Sequence, residues 1–211
     1  MAKARQNQIR YWDNDISEVE DIVLRCFFPE GEERMISEII ERSGYSYERV
    51  NTALKRLEEK KIVSSKKVGK TLVFIANYSN LYLKLAFHHY MTERLIQFGN
   101  KYIIIYESIK NTSNEIFGIT MLFGSYSKGN ETKNSDIDLM IISDSEKQAQ
   151  DKINNLKLKY GFNISPAFVK RTEFSKIKKE NPELWKDMKE YAIVFNGQDL
   201  YYYWVYQNEK N

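Results

Sequence analysis

The sequence of 211 residues contains a single cysteine, Cys26, and only two histidines, His88 and His89. One cysteine excludes a disulfide framework and a cysteine-based metal site, and this usage is typical of a protein in the reducing cytoplasm. The histidines are adjacent, so on a helix they point about 100° apart and cannot bind one metal ion together. Disulfide chemistry and histidine–cysteine metal chemistry are therefore not expected.

Long apolar segments are also missing. The N-terminal residues 1–12, MAKARQNQIRYW, are basic and lack the apolar stretch of a signal peptide. No later segment approaches the apolar length that spans a bilayer. We therefore expect a soluble cytoplasmic protein that does not enter the membrane.

The chain also has no large excess of one charge, because its 32 basic and 29 acidic residues leave a net charge of only +3. Any signal for nucleic-acid binding must then come from local clustering of basic residues. Hydrophobic residues make up 42% of the chain and aromatic residues 14%, which is enough to bury a core. The length fits one large domain or two small ones.

The first third of the chain predicts three helices followed by a β-hairpin. Gly69, within the basic segment 66–70, supplies the backbone freedom of a tight hairpin turn, and Ser46 is a suitable N-cap for the third helix. This order of elements is that of a winged helix-turn-helix, whose third helix enters the DNA major groove. Apolar periodicity places the helices at residues 16–28, 35–43 and 47–61, and the strands at residues 62–65 and 71–76.

Basic residues cluster in this predicted winged helix. Residues 49–70 contain eight basic residues against two acidic ones, a local excess of six. Such a surface would bind mainly DNA phosphates. Alternatively, the charges keep a helix and an edge strand soluble, or the module binds a protein. The residues predicted to contact double-stranded DNA are Tyr47, Arg49, Asn51, Thr52, Lys55, Arg56, Lys66, Lys67 and Lys70.

A connecting helix is predicted over residues 79–100. Its many apolar residues make it a candidate contact between two copies of the chain, since a two-fold dimer suits a winged-helix DNA-binding protein. The predicted organisation is a winged helix over residues 1–78, this helix, and a second domain over residues 101–211.

The second domain contains the segment 122–141, LFGSYSKGNETKNSDIDLMI. An apolar strand ends at Gly124 and Ser125, a polar loop follows, and Asp136 and Asp138 then alternate with apolar residues. Side chains of a strand alternate between its faces, so both carboxylates lie on the face opposite the core. Two neighbouring carboxylates repel each other but suit Mg²⁺, which prefers oxygen ligands.

This Gly-Ser, ten-residue, Asp-x-Asp pattern resembles the signature of the DNA polymerase β-like nucleotidyltransferases, in particular the minimal nucleotidyltransferases. The resemblance implies that Asp136 and Asp138 hold one or two Mg²⁺ or Mn²⁺ ions. It implies further that Gly124 and Ser125 hold the phosphates of a nucleoside triphosphate such as ATP, with Lys128 and Gly129 beside them. Proteins that join this domain to a winged helix resemble prokaryotic, often archaeal, transcriptional regulators.

The resemblance has one gap, because the family usually carries a third carboxylate on a later strand. Residues 161–170, GFNISPAFVK, are the expected strand and contain no acid. Ser165 occupies the position that we align with the missing carboxylate, and Glu173 is the nearest acid that follows. Whether the domain catalyses transfer is therefore open at this point.

The expected fold class is α+β, a winged helix followed by an α/β nucleotidyltransferase domain with a mixed sheet flanked by helices. A final strand at residues 192–197 precedes an aromatic segment, 201–206, that we expect to pack against the domain rather than stack on bases. The leading hypothesis is a DNA-binding regulator that binds a nucleoside triphosphate with Mg²⁺ and transfers a nucleotidyl group to a protein, small-molecule or nucleic-acid hydroxyl. Alternatives are an antitoxin-like nucleotidyltransferase acting on a helical partner protein and a non-catalytic nucleotide sensor.

Overall fold

The computed structural model describes residues 16–207, which divide into two compact units. The first unit runs to Phe27 and resumes over Glu32–Asn77, and the second contains Phe28–Gly31 and the chain from Tyr78 onward. The basic segment 1–12, on which the expectation about a signal peptide rests, lies outside the described residues. No helix in the described part of the chain is both long and apolar enough to cross a bilayer.

The first unit has the predicted three helices and β-hairpin. Gly44 ends the second helix in the left-handed conformation, at φ +67°. Three antiparallel strands form a small sheet in the order β1-β3-β2. Its elements are α1 (Glu18–Arg25), β1 (Arg34–Met35), α2 (Ile36–Ser43), α3 (Tyr47–Glu59), β2 (Val63–Val68) and β3 (Thr71–Ala76).

Two details of this unit differ from the sequence-based expectation. The short strand β1, at Arg34 and Met35 just before α2, was not predicted, and it pairs with Val73 and Phe74 of β3. Strand β2 also continues to Val68, so Lys66 and Lys67 lie in the strand and the turn is only Gly69 and Lys70. The difference arises because the paired strand β3 extends β2 by backbone hydrogen bonds that local residue preference does not reveal.

A buried carboxylate joins two helices of the first unit. Glu20 is 2% exposed. Its side chain accepts hydrogen bonds from the backbone N–H of Ser17 at 2.6 Å and from Lys60 Nζ, just after α3, at 2.9 Å. Burial alone would raise the pKa of Glu20, but these hydrogen bonds and the Lys60 charge outweigh burial and lower it. The start of α1 is thus fixed to the end of α3.

The second unit is built on a four-stranded sheet in the order β6-β5-β4-β7, and the predicted mixed sheet flanked by helices is confirmed. Strands β5 and β6 are parallel, and the other two pairings are antiparallel. The first half contains α4 (Leu81–Lys101), α5 (Ile103–Ser113), β4 (Ile119–Phe123), α6 (Gly124–Lys128), β5 (Ile137–Ile142) and α7 (Glu146–Tyr160). The second half contains β6 (Ile164–Val169), α8 (Arg171–Glu180), α9 (Pro182–Tyr191), β7 (Ile193–Asn196), α10 (Gln198–Tyr202) and a π-helical turn (Tyr203–Gln207).

The core of the second unit lies between the sheet and its helices. Leu122 of β4 and Leu139 of β5 are fully buried and pack with Ile153 of α7. Two positions differ from expectation. The connecting helix, predicted as a separate element, lies in this unit, and the predicted loop after β4 begins with the five-residue helix α6. Gly124 and the tight turn at Gly129 allow that helix, a local geometry that the polar composition concealed.

The aromatic C-terminal segment packs into the second unit, as expected. Tyr202 and Tyr206 are at most 2% exposed, and their hydroxyls donate to the carbonyls of Tyr78 and Pro29 at 3.0 and 2.7 Å. Burial raises the pKa of both phenols. These tyrosines are structural, and their rings are not available to stack on a nucleotide base.

Replacing Lys60 with Met should lower the free energy of unfolding by about 1–3 kcal/mol, since it leaves Glu20 buried without its cation. The folded pKa of Glu20 lies below the ordinary value of 4.5, so its contribution is present above that pH and is lost as pH falls through the folded value. Urea unfolding followed by circular dichroism from neutral to acidic pH measures both effects. Lys55→Met, an exposed change in α3, is the control, and equal losses in the two variants would contradict the assignment.

Candidate functional site

Strand pairing brings three predicted site residues to one edge of the sheet in the second unit. Asp138 on β5 lies opposite Phe123, the last residue of β4, and opposite Ser165 on β6. Asp136 immediately precedes β5, and its carboxylate accepts a hydrogen bond from the side-chain amide of Asn163. The two aspartates and Ser165 therefore lie together beside the end of β4.

Gly124 is the point of closest approach in this site. Its φ of +72° is a backbone conformation that other L-residues rarely adopt. A Cβ built on Gly124 would collide with the carboxylate of Asp138. Only glycine lets the chain turn from β4 into α6 against that carboxylate, so the position needs both the conformation and the missing side chain.

Asp138 is held in a half-buried and electrostatically unfavourable position, whereas Asp136 is exposed. Burial raises the pKa of the Asp138 carboxyl, and the neighbouring negative charge of Asp136 raises it further. A bound cation would relieve both effects. The pair therefore has the electrostatics of a cation site rather than of a structural ion pair.

The ligand set fits Mg²⁺ that binds together with a nucleotide. Between residues 16 and 207 no group of three or more His, Cys, Asp or Glu side chains is placed to hold a metal. Mg²⁺, however, is commonly bound by one or two carboxylates, with water and substrate phosphates filling the remaining positions. Asp136 and Asp138 supply those two carboxylates, and Mn²⁺ accepts the same ligands.

Ser165, which we align with the family's third carboxylate, lies directly beside Asp138 in the parallel register. A serine hydroxyl is uncharged and is a poor base. Glu173, the alternative acid, lies in the first turn of α8 beyond the opposite end of β6, where its side chain accepts a hydrogen bond from the backbone N–H of Lys170. The structure therefore does not bring Glu173 to the site.

Lys128, predicted to contact phosphate, is held by helix α9. Its Nζ lies 2.5 Å from Oδ2 of Asp187 and 5.2 Å from the centre of the Tyr191 ring. Gly129 ends α6 with φ +72°, and its N–H donates to the carbonyl of Ser125. Asp187 and Tyr191 were missed by the sequence analysis, because a contact across 59 residues leaves no local pattern.

The residues predicted to contact DNA lie on the surface of the first unit. Arg49, with Tyr47, Thr52, Lys55 and Arg56, is exposed on α3, while Asn51 is half-buried. The guanidinium of Arg49 lies 4.1 Å from the centre of the Tyr45 ring. Lys66 forms an ion pair with Glu33 at 2.5 Å, which reduces the charge at that end of the hairpin. Lys67 and Lys70 are exposed at and near the hairpin turn.

A groove of about 370 Å³ lies beside α1 and α3 in the first unit. Arg49 and Arg56, two of the predicted DNA-contact residues, line it together with Thr52. Glu48 also lines the groove, so its charge is mixed rather than purely basic.

Fold and site together define the class of this chain as a winged helix followed by a nucleotidyltransferase-type domain. Comparison with known families agrees. The family model described as "Nucleotidyltransferase domain" matches residues 120–200, and that described as "Penicillinase repressor" matches residues 16–114. The predicted combination of the two domain types is confirmed.

A curated protein of Methanocaldococcus jannaschii, named "Putative protein adenylyltransferase", is 30% identical to this chain over 89 residues. The alignment covers 38% of this chain and 60% of the relative, so the chain spans less than two thirds of that protein's length. No solved structure matches the chain significantly.

Replacing Asp138 with Asn should raise the free energy of unfolding at neutral pH by roughly 0.5–2 kcal/mol, because it removes a half-buried charge that Asp136 repels. Urea unfolding of the protein without metal or nucleotide measures the change. Asp151→Asn, on the exposed side of α7, is the matched control and should have little effect. A loss of stability in the Asp138 variant would show that the carboxylate is not strained.

Proposed function

We propose that this protein is a DNA-binding regulator whose second unit binds a nucleoside triphosphate with Mg²⁺ and transfers a nucleotidyl group. The observation that carries the proposal is the contact of Gly124 with Asp138. Gly124, in a backbone conformation that other residues rarely adopt, places the start of α6 against the carboxylate of Asp138, whose pKa is raised. Phosphates and a cation would fit side by side at this contact.

Asp136 and Asp138 would hold the metal ion, which when bound neutralises phosphate charge and favours departure of pyrophosphate. Gly124 and Ser125 would bind the phosphates through backbone N–H groups and the serine hydroxyl. Without a cation, the two carboxylates repel a triphosphate. Nucleotide and metal should therefore bind together rather than separately.

In the proposed reaction, an acceptor hydroxyl oxygen forms a bond to the α-phosphorus as the bond from that phosphorus to the bridging oxygen of pyrophosphate breaks. The acceptor proton passes to solvent or to a site carboxylate. ATP as donor and a protein hydroxyl as acceptor are favoured by the name of the archaeal relative, which states protein adenylyltransferase. Both assignments belong to the proposal.

Ser165 favours a second candidate, a nucleotide sensor that does not turn over. In place of a third carboxylate, the serine offers only a hydroxyl beside Asp138. Nucleotide and Mg²⁺ would still bind, while removal of the acceptor proton would be slow. In this version nucleotide occupancy regulates DNA binding without chemistry.

Incubation with each nucleoside triphosphate labelled at the α-phosphate, with Mg²⁺ or Mn²⁺, tests transfer. The acceptors offered are the protein itself, cell-lysate protein and RNA. Label should reach an acceptor with the wild type and fall to background with Asp136→Ala/Asp138→Ala. Asp144→Ala/Asp151→Ala is the matched control for loss of two carboxylates. Equal labelling by both double variants would place the reaction elsewhere.

A Ser165→Asp variant in the same assay separates the two candidates. If the site is a slow enzyme, the added carboxylate beside Asp138 should raise the rate. If both the wild type and Ser165→Asp bind nucleotide but transfer no label, the result supports the second candidate, a nucleotide sensor without catalysis.

The DNA-binding part of the proposal predicts affinity for duplex DNA that falls as salt rises. Lys55→Ala/Arg56→Ala should weaken binding and reduce the slope of log K against log salt by about two, one for each lost phosphate contact. Fluorescence anisotropy with a mixed-sequence duplex measures this slope. Lys176→Ala/Lys179→Ala, on α8, removes the same charge from the second unit. Equal salt slopes in the two double variants would show that α3 does not contact the DNA.

A further inference from the structure

The loop between α6 and β5 joins the two halves of the proposed nucleotide site. It begins next to Gly124 and Ser125 and ends at Asp136. The backbone N–H of Asn130 donates to the carbonyl of Ser125 at 3.1 Å. At the other end, Thr132 and Ser135 are joined by a hydrogen bond from the Thr132 N–H to the Ser135 hydroxyl at 2.8 Å and by a backbone hydrogen bond from the Ser135 N–H to the Thr132 carbonyl at 3.1 Å.

Glu131 lies between these two hydrogen-bonded ends. Its Oε1 accepts a hydrogen bond from the hydroxyl of Tyr102, and Lys101 Nζ lies 3.1 Å from the same oxygen. Its Oε2 is buried without a hydrogen-bond partner among residues 16–207. The side chain is 18% exposed. Glu131 therefore connects the loop to the junction of α4 and α5.

Tyr102 contacts both sides of the loop. Its hydroxyl reaches Glu131, and its ring lies 5.4 Å from the ring of Tyr126 on α6 and 4.9 Å from that of Phe98 on α4. Tyr126 directly follows Ser125. Tyr102 thus contacts both α6, the helix that begins at Gly124, and the loop that leads to Asp136.

An acidic side chain beside a triphosphate site is unfavourable unless another group compensates its charge. Lys101 and the Tyr102 hydroxyl supply that compensation and hold the pKa of Glu131 below its usual range, with the Tyr102 hydrogen bond as the largest cause. Sequence patterning offers no other reason for a half-buried acid in a loop that is otherwise polar and mostly exposed. A positioning role accounts for it.

We propose that Tyr102, acting through Glu131, is a positioning residue that holds the α6–β5 loop in the geometry required for nucleotide binding. The inference rests on the proposed function, because it concerns the same site. Tyr102 is also the residue at which α4 ends and α5 begins. In the chain, α4 is the helix that directly follows the winged helix.

Tyr102→Phe removes only the hydroxyl and leaves the ring in place. Amide hydrogen exchange of the protein without ligand should become faster in residues 125–136 and stay unchanged in α7. The KM for the nucleotide, or its Kd where no turnover is detected, should rise roughly three- to tenfold, which is about 0.7–1.4 kcal/mol and the size of one ordinary hydrogen bond. The kcat should change less, since Tyr102 touches no reacting atom.

Three further variants guard against a purely structural effect. Glu131→Gln keeps an oxygen that accepts a hydrogen bond from Tyr102, so this variant should retain most of the nucleotide affinity of the wild type. Glu131→Ala should resemble Tyr102→Phe. Tyr106→Phe, on α5, loses a hydroxyl that accepts from Lys110 at 2.7 Å and is the matched control. It should leave both the loop exchange and the KM unchanged.

Unchanged hydrogen exchange in residues 125–136 of Tyr102→Phe would show that the Tyr102 hydroxyl does not hold the loop. Faster exchange with unchanged nucleotide affinity would show that Tyr102 does not position the loop for nucleotide binding. A wild-type protein that binds no nucleotide would overturn the proposed function instead. The exchange measurement would then still decide whether Tyr102 and Glu131 hold the loop.

Discussion

The site of the second unit depends on the contact between Gly124 and the carboxylate of Asp138. A side chain at Gly124 would occupy the space of that carboxylate, and its φ of +72° disfavours other residues. The contact fixes where α6 begins, and the short α6 and the loop that follows it in turn lead to Asp136. Strand β4 delivers the glycine and β5 delivers Asp138, so the antiparallel pairing of two buried strands sets the geometry of the site.

Repulsion between the two aspartates makes the site favourable for a bound cation. Asp138 is partly buried and is repelled by Asp136, and both effects raise its pKa. Positive charge nearby is already engaged, since Lys128 is held by Asp187 and Lys101 by Glu131. In the proposed function, a cation that arrives with a triphosphate would satisfy the carboxylates and the phosphates together. Ser165 lies in register with Asp138 and offers an uncharged hydroxyl there.

Local pattern predicted the elements and the paired aspartates well. The amphipathic pattern of residues 146–160 and the break at Asn181 and Pro182 can be recognised in the sequence, and the structure has α7 over Glu146–Tyr160 and separates α8 from α9 at Asn181, whose side chain accepts from the Leu184 N–H. Ser165, which the family resemblance aligns with the third acid, lies in register with Asp138. Strand β1 was missed because two residues of ladder carry no periodicity. The Lys128–Asp187 and Tyr102–Glu131 contacts were missed because each joins segments far apart in sequence, and only the folded chain brings them together.

Calorimetric titration of ATP into the protein, with Mg²⁺ present and with the metal chelated, tests the central claim most directly. If Asp136 and Asp138 hold a metal ion shared with the phosphates, Mg²⁺ should tighten ATP binding by about tenfold or more, which is 1.4 kcal/mol or more. That gain should disappear in Asp136→Asn/Asp138→Asn. Equal affinity with and without Mg²⁺ in the wild type would contradict the account, because two bare carboxylates would then tolerate a triphosphate beside them.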